Sequence, residues 1–122
     1  MLDLSHKKLD VWKKSLELVS NVYKLTHSFP REEQFGLTSQ IRRASVSNIS
    51  NIAEGFARSS EIETKRFLEI ARSSLVEVDT QIEISKTLGY ISENNIKELK
   101  ENSNHIFAML TNLIKKFSGL AK

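Results

Sequence analysis

The segment from Leu37 to Phe56 constrains the fold most, because it reads as a helix with apolar residues on two faces. One stripe runs at 4-3-4 spacing and comprises Ile41, Ser45, Asn48 and Ile52. A second stripe lies about 100° further round the helix and comprises Val46, Ile49, Ala53 and Phe56. A surface helix of a simple bundle needs only one apolar face. The pattern therefore predicts that one face packs inside the subunit and the other against a second subunit.

Length and composition indicate one all-helical domain. A chain of 122 residues is the size of one domain with one core. One proline and four glycines leave room for long helices, and the absence of cysteine excludes disulfides, thiol catalysis and cysteine-ligated metals. No apolar run approaches a signal-peptide core or the roughly 20 residues of a membrane span. We therefore expect a soluble, cytoplasmic protein with no membrane partner.

Apolar periodicity and breaker residues predict four helices, over residues 8–28, 33–56, 61–88 and 92–118. The first carries a stripe at 3-4 spacing, namely Leu9, Trp12, Leu16, Val19 and Tyr23. Ser60 and Glu63 have capping-box spacing, and Gly89 can supply the left-handed residue that ends a helix. The joints between helices are short, which predicts antiparallel neighbours and an up-down-up-down four-helix bundle.

The third and fourth helices have the clearest seams. The third seam comprises Leu68, Ala71, Leu75, Val78, Ile82 and Ser85. The fourth comprises Ile96, Leu99, Ser103, Ile106, Leu110, Leu113 and Phe117. Both repeat at 3-4 spacing, as expected for helices that face a common core.

No residue pattern predicts catalysis, a metal or a cofactor. A di-iron bundle needs two Glu-x-x-His motifs, but His6, His27 and His105 lie on separate segments and none has a glutamate three residues before it. The chain has neither a GxSxG elbow nor a glycine-rich phosphate loop. We therefore expect a protein that is not an enzyme, with no catalytic residues, no metal ligands and no cofactor.

Several polar residues within the predicted helices are assigned to packing or subunit pairing: Gln40, Asn48, Asn51, Glu54 and Glu77. The two asparagines are poor helix formers whose amides need hydrogen bonds if they are buried. The two glutamates lie beside the seams of their helices, so we expect them to be partly buried and paired with arginine. A catalytic carboxylate pair is the less favoured interpretation of the same two residues.

Basic side chains are the remaining candidate site. The formal net charge is +3, and six basic residues belong to two neighbouring helices and the joint between them: Arg42, Arg43, Arg58, Lys65, Arg66 and Arg72. Arginine can clamp phosphate with two parallel hydrogen bonds. No aromatic residue is interleaved with them, so the pattern favours contacts with the nucleic-acid backbone over stacking on bases.

The motifs of this chain resemble those of the bacterial 23S rRNA intervening-sequence proteins. The resemblance depends on Phe29-Pro30, on Gln-Ile-Arg-Arg at 40–43, on Asn-Ile-Ala-Glu-Gly at 51–55 and on the segment from Ala71 to Asp79. It implies a four-helix bundle that assembles as a homopentameric ring. It extends to the accessory variability proteins of diversity-generating retroelements, which bind nucleic acid and cooperate with a reverse transcriptase.

Two hypotheses of function remain. In the first, a non-enzymatic homo-oligomer binds RNA or DNA through the six basic residues. In the second, the oligomer is a scaffold for a partner protein, such as a reverse transcriptase, and the arginines form ion pairs between subunits. Strong salt dependence of nucleic-acid binding is expected only in the first.

Overall fold

The computed structural model describes residues 1–119, and these form helices without any strand. Four are α-helices: α1 (Asp10–Thr26), α2 (Leu37–Phe56), α3 (Glu61–Thr87) and α4 (Lys97–Phe117). Helix α1 packs on α2 and α4, and α3 packs on the same two helices. The predicted all-helical, four-helix bundle is confirmed. Within residues 1–119, none of the helices combines the length and apolarity that a membrane span requires.

Helices α2 and α4 begin well after the residues that the sequence pattern predicts, because a short 3₁₀ turn precedes each. Arg31–Glu33 forms such a turn before α2, and the path then bends at Gly36. The carboxylate of Glu33 accepts a hydrogen bond from the Leu37 N–H at 3.1 Å, which satisfies one open donor of α2. Glu93–Ile96 forms the corresponding turn before α4, capped reciprocally by Ser92 and Asn95.

Helix α3 follows its sequence signals closely. Ser60 Oγ accepts a hydrogen bond from the Glu63 N–H at 3.1 Å, as its N-cap role predicts. Beyond the other end, Gly89 has φ +78°, a conformation that residues with a Cβ rarely adopt. All six residues of the predicted α3 seam are buried. The Ser60 cap and the buried face are therefore confirmed.

The prediction for α1 is wrong, because a different face of that helix meets the core. The buried residues of α1 include Val11, Ser15, Leu18 and Val22. Leu16 and Tyr23, on the predicted stripe, are 47% and 43% exposed. Both faces of α1 are apolar, so periodicity alone could not decide between them.

Helix α2 lies close to α3 because small residues line the contact. The predicted stripe from Ile41 to Ile52 is completely buried. Ser47 Oγ and Ser74 Oγ share a hydrogen bond of 2.9 Å between the two helices. Near the end of α2, Thr64 Oγ1 donates to the Gly55 carbonyl at 2.8 Å. The two helices are therefore in backbone-close contact along most of α2.

Candidate nucleic-acid interface

Two of the six predicted basic contact residues are used within the bundle. Arg42 Nε donates to Thr26 Oγ1 at 2.9 Å, and its guanidinium lies 4.4 Å from the centroid of the Tyr23 ring. Arg72 Nη1 donates to Thr111 Oγ1 at 3.2 Å, and its guanidinium lies over the Phe107 ring. Both side chains are partly buried. Arg42 joins α2 to α1, and Arg72 joins α3 to α4.

Arg58 is exposed but has partners on its own surface. Its Nη2 forms an ion pair of 2.8 Å with Glu54 Oε2, one helical turn earlier. Its guanidinium also lies 4.7 Å from the centroid of the Phe67 ring. An exposed pair of this kind contributes about 0.3–0.5 kcal/mol. Separating this ion pair therefore costs little free energy.

Three predicted contact residues extend from the surface of the bundle. Arg43 and Arg66 are exposed, and Lys65 is partly exposed. Within residues 1–119 none of the three takes part in an ion pair or a side-chain hydrogen bond. Their charged groups are available to an anion in solution. Arg43 lies in the first half of α2, whereas the other two lie in the early turns of α3.

The bundle brings two further lysines to the end where α3 begins. The Phe56 ring at the end of α2 lies 6.1 Å from the Phe117 ring at the end of α4. The last turn of α4 carries two exposed lysines. We call the group at this end of the bundle the basic end, and it comprises Arg58, Lys65, Arg66, Lys115 and Lys116.

The basic end is not purely positive. Glu61 and Glu63 are exposed in the first turn of α3, where carboxylates stabilise the helix dipole. Glu54 neutralises Arg58. Sequence analysis missed Lys115 and Lys116, since their helix is far from the other basic residues along the chain. Their position in a last helical turn was visible, but that position by itself is ordinary.

The polar residues assigned to packing have mixed positions. Asn48 is fully buried, and its Nδ2 donates to Ser15 Oγ at 3.1 Å, which joins α2 to α1. Asn51 Nδ2 donates to the Ser47 carbonyl of its own helix at 2.8 Å. Gln40 is exposed and lies outside the packing within one chain.

The expectation that Glu54 and Glu77 are partly buried is wrong. Both are exposed, because each lies on a face of its helix that is turned away from the bundle axis. The pairing of Glu54 with an arginine is found, but with Arg58 on the same helix end. The two carboxylates lie on different helices, and both face solvent. Within residues 1–119 no group of three acidic or histidine side chains could hold a metal ion.

A groove of about 410 Å³ runs between α3 and α4. Its floor includes Leu75, Ile82 and Leu99, and Lys86 and Glu93 lie at one end. Lys86 Nζ lies 3.0 Å from Glu93 Oε2. Hydrogen bonds to Glu83 and then Glu93 raise the pKa of Lys86, and the bond from Lys86 is the main reason that the pKa of Glu93 is lowered. The groove therefore has an apolar floor and a mixed-charge rim.

A second apolar surface lies where α1 meets α2. Leu16 and Tyr23 of α1 and Val46 of α2 are each more than a third exposed. The contact of Arg42 with Tyr23 shows that the two stripes adjoin. We call this surface the α1–α2 face. These exposed apolar side chains on two neighbouring helices make this face a candidate site of protein contact.

The bundle is similar to proteins described before. A family model described as 23S rRNA-intervening sequence protein matches residues 7–112. The crystal structure of a protein from Bacteroides thetaiotaomicron VPI-5482, from the S23 ribosomal protein family and of unknown function, has a TM-score of 0.77 at 26% sequence identity. That similarity covers 86% of this chain and 98% of the other. A search of curated proteins gave no match.

Proposed function

Because the chain belongs to the 23S rRNA-intervening sequence protein family, we propose that it is a non-enzymatic, oligomeric RNA-binding protein that contacts phosphate groups. The basic end carries this proposal. Its five cations come from α3, α4 and the joint before α3, and only Arg58 has a carboxylate partner among residues 1–119. Lysine and arginine in such a cluster bind phosphates by charge and hydrogen bonding.

The phosphate contacts are assigned to the basic end and to Arg43. Arg42 and Arg72 are left out, because each already joins two helices of the bundle. Breaking those contacts to reach RNA would cost packing as well as hydrogen bonds. Recognition of this kind depends on the RNA backbone, so sequence specificity should be slight.

Assembly multiplies these contacts. On the α1–α2 face, Val46 of the second α2 stripe is 40% exposed beside Leu16 and Tyr23, which supports the prediction that this face of α2 packs against another subunit. The last residue of that stripe, Phe56, instead packs against Phe117 within the chain. We propose a homo-oligomer, with the pentameric ring that the family resemblance implies as the expected form. In a ring the basic end recurs once per subunit, so weak contacts add.

An up-down-up-down arrangement of the helices belongs to the same proposal. The Phe29 ring, just after α1, lies 5.5 Å from the Tyr90 ring, just after α3. The ends of α2 and α4 meet through Phe56 and Phe117. These two contacts are those expected when each helix runs opposite to its sequence neighbours. On this arrangement all the basic ends of a ring would face the same side.

Fluorescence anisotropy with a labelled, structured RNA tests the proposal. Affinity should fall steeply between low and near-physiological salt. Replacing Arg58, Lys65 and Arg66 by glutamine should weaken binding and flatten the dependence of log K on log salt by about two to three units.

The matched control replaces three exposed lysines at the end of α1 and the start of α4, away from the basic end: Lys24, Lys97 and Lys100. It removes the same charge, so a comparable loss would show general attraction and contradict a defined site. Absence of binding at low salt would reject RNA binding altogether. Loss of the oligomer in the first variant, measured by light scattering, would assign those residues to assembly.

The apolar groove between α3 and α4 favours a second candidate function, a scaffold for a partner protein. Two apolar side chains of its lining, Val76 and Phe107, are 49% and 42% exposed. In that case a Val76→Glu or Phe107→Glu substitution at the groove would abolish partner binding while leaving RNA affinity unchanged. Such a result, together with salt-insensitive RNA binding, would favour the scaffold.

A further inference from the structure

Phe35 is a large apolar side chain in the turn before α2, and it is 89% exposed. It follows the 3₁₀ turn Arg31–Glu33 and directly precedes Gly36, the N-cap of α2. No ring of the described chain stacks on it. Because the Phe35 side chain is not buried, it adds almost no hydrophobic stabilisation to a single chain.

The backbone that carries Phe35 is held on both sides. The Glu33 carboxylate accepts one hydrogen bond from the Leu37 N–H at 3.1 Å and another from the Tyr90 hydroxyl at 2.8 Å. The bond to Glu33 raises the pKa of Tyr90, so the phenol stays protonated and continues to donate. The Tyr90 ring also packs against Phe29, which is buried. The turn is thus tied to α2 and to the segment between α3 and α4.

Two exposed arginines lie on either side of Phe35 along the chain. Arg31 is exposed four residues before it. On the other side, Gly36 and Arg43 are seven residues apart, so they lie on nearly the same face of α2 and about 10 Å apart along its axis. Within residues 1–119 neither arginine forms an ion pair. Glu32 is an exposed acid of the same turn, so the local charge is only moderately positive.

We propose that Phe35 stacks on an unpaired base of the bound RNA while Arg31 and Arg43 contact the phosphates on either side. This inference rests on the proposed RNA-binding function and specifies the kind of RNA. It adds a contact at the other end of α2, which is 20 residues long, about 30 Å from the basic end along the helix axis. A base inside a duplex is already stacked on both faces, whereas a base in a loop or single strand offers a free face to an aromatic ring. The protein therefore prefers RNA with unpaired nucleotides to continuous duplex.

Two labelled RNAs of equal length test this preference: a hairpin with an unpaired loop, and a blunt duplex. Anisotropy titrations at one salt concentration compare the unmodified protein with Phe35→Ala and Phe35→Tyr. The alanine variant should bind the hairpin about tenfold more weakly, equal to about 1.4 kcal/mol, and bind the duplex as before. The tyrosine variant should retain hairpin affinity, since its ring stacks equally well.

Ile62→Ala is the matched control, because Ile62 is also highly exposed and lies at the start of α3. It should leave the preference for the hairpin unchanged. Glu32→Gln should strengthen hairpin binding, because it removes negative charge beside the flanking phosphates. Circular dichroism of each variant should show unchanged helix content, as expected for exposed positions.

Three results would overturn the inference. Equal affinity of the unmodified protein for hairpin and duplex would reject the role of Phe35 and leave phosphate binding intact. Dissociation of the oligomer in the Phe35→Ala variant would show that the Phe35 side chain contacts another subunit. No binding of either RNA at low salt would reject the proposed function together with the inference.

Discussion

A glycine to alanine change at position 55 should destabilise the protein, although alanine favours helix. Gly55 is the second-last residue of α2, where it is buried against α3. A Cβ at this position would lie 3.1 Å from Phe67 Cβ and 3.2 Å from the Thr64 carbonyl oxygen. Both atoms belong to or adjoin the backbone of α3, so neither can rotate away. The two helices would have to separate by a few tenths of an ångström.

Two opposing effects set the magnitude. Alanine gains at most about 1 kcal/mol over glycine in a helix, and less in a last turn such as that of Gly55, whereas overpacking a tight contact costs typically about 1–3 kcal/mol. Separation would also lengthen the 2.9 Å bond between Ser47 and Ser74 and the 2.8 Å bond from Thr64 to the Gly55 carbonyl. Weakened inter-helix bonds place the cost in the upper part of that range. We expect a net loss of about 1–2 kcal/mol in the free energy of unfolding.

Urea denaturation followed by circular dichroism measures the effect, at one fixed protein concentration because assembly contributes to apparent stability. Ser50→Ala is the control: Ser50 is exposed on the same helix, so its replacement should be neutral or stabilise by up to about 0.5 kcal/mol. If Gly55→Ala instead stabilises the protein by the full helix-propensity gain, the close packing of α2 on α3 is refuted.

Further predictions concern a buried histidine, a buried amide and a helix cap. Burial, and secondarily the charge of Lys7, lowers the pKa of His6 below 6.5. The unfolded chain therefore binds more protons, and the free energy of unfolding should decrease as pH falls from about 6.5 through the lowered pKa. Denaturation of a His6→Phe variant should lack this pH dependence. Asn48→Ala should cost about 1–3 kcal/mol because it leaves Ser15 Oγ buried without its donor. The double variant with Ser15→Ala should cost less than the sum of the single changes in the same denaturation assay. Ser60→Ala should cost about 1 kcal/mol of stability through loss of the α3 cap, whereas Ser59→Ala, at a non-capping position, should have little effect on the urea midpoint.

Local rules explain which parts of the fold the sequence predicted well. The α3 seam and the Ser60 cap depend on neighbours within a few residues, and both were found as predicted. The first residues of α2 and α4 were predicted too early, since a 3₁₀ turn and an α-helix share nearly the same residue preferences. Four helices that each have an apolar face bury those faces together most readily as a bundle.

The candidate site was only partly accessible from the sequence. A run of basic residues is visible in the sequence, but whether an arginine is free depends on residues far along the chain. Arg72, for example, donates a hydrogen bond to Thr111, which lies 39 positions further along the chain. Lys115 and Lys116 joined the site because α4 ends beside the start of α3. The assignment of each cation to RNA stays a prediction until the binding assays are done.

By itself, the sequence determined four helices, their approximate ends, and the presence of two apolar faces on α2. These follow from period, capping and breaker residues, all of which act over one or two helical turns. Only the tertiary structure decided which face of α1 enters the core, because its two apolar stripes have similar hydrophobicity. The face with Ser15 meets the fully buried Asn48, and the alternative face lacks a small polar residue at that position. Exposure of Phe35 was decided in the same way, since long-range contacts from Tyr90 through Glu33 hold its turn at the surface.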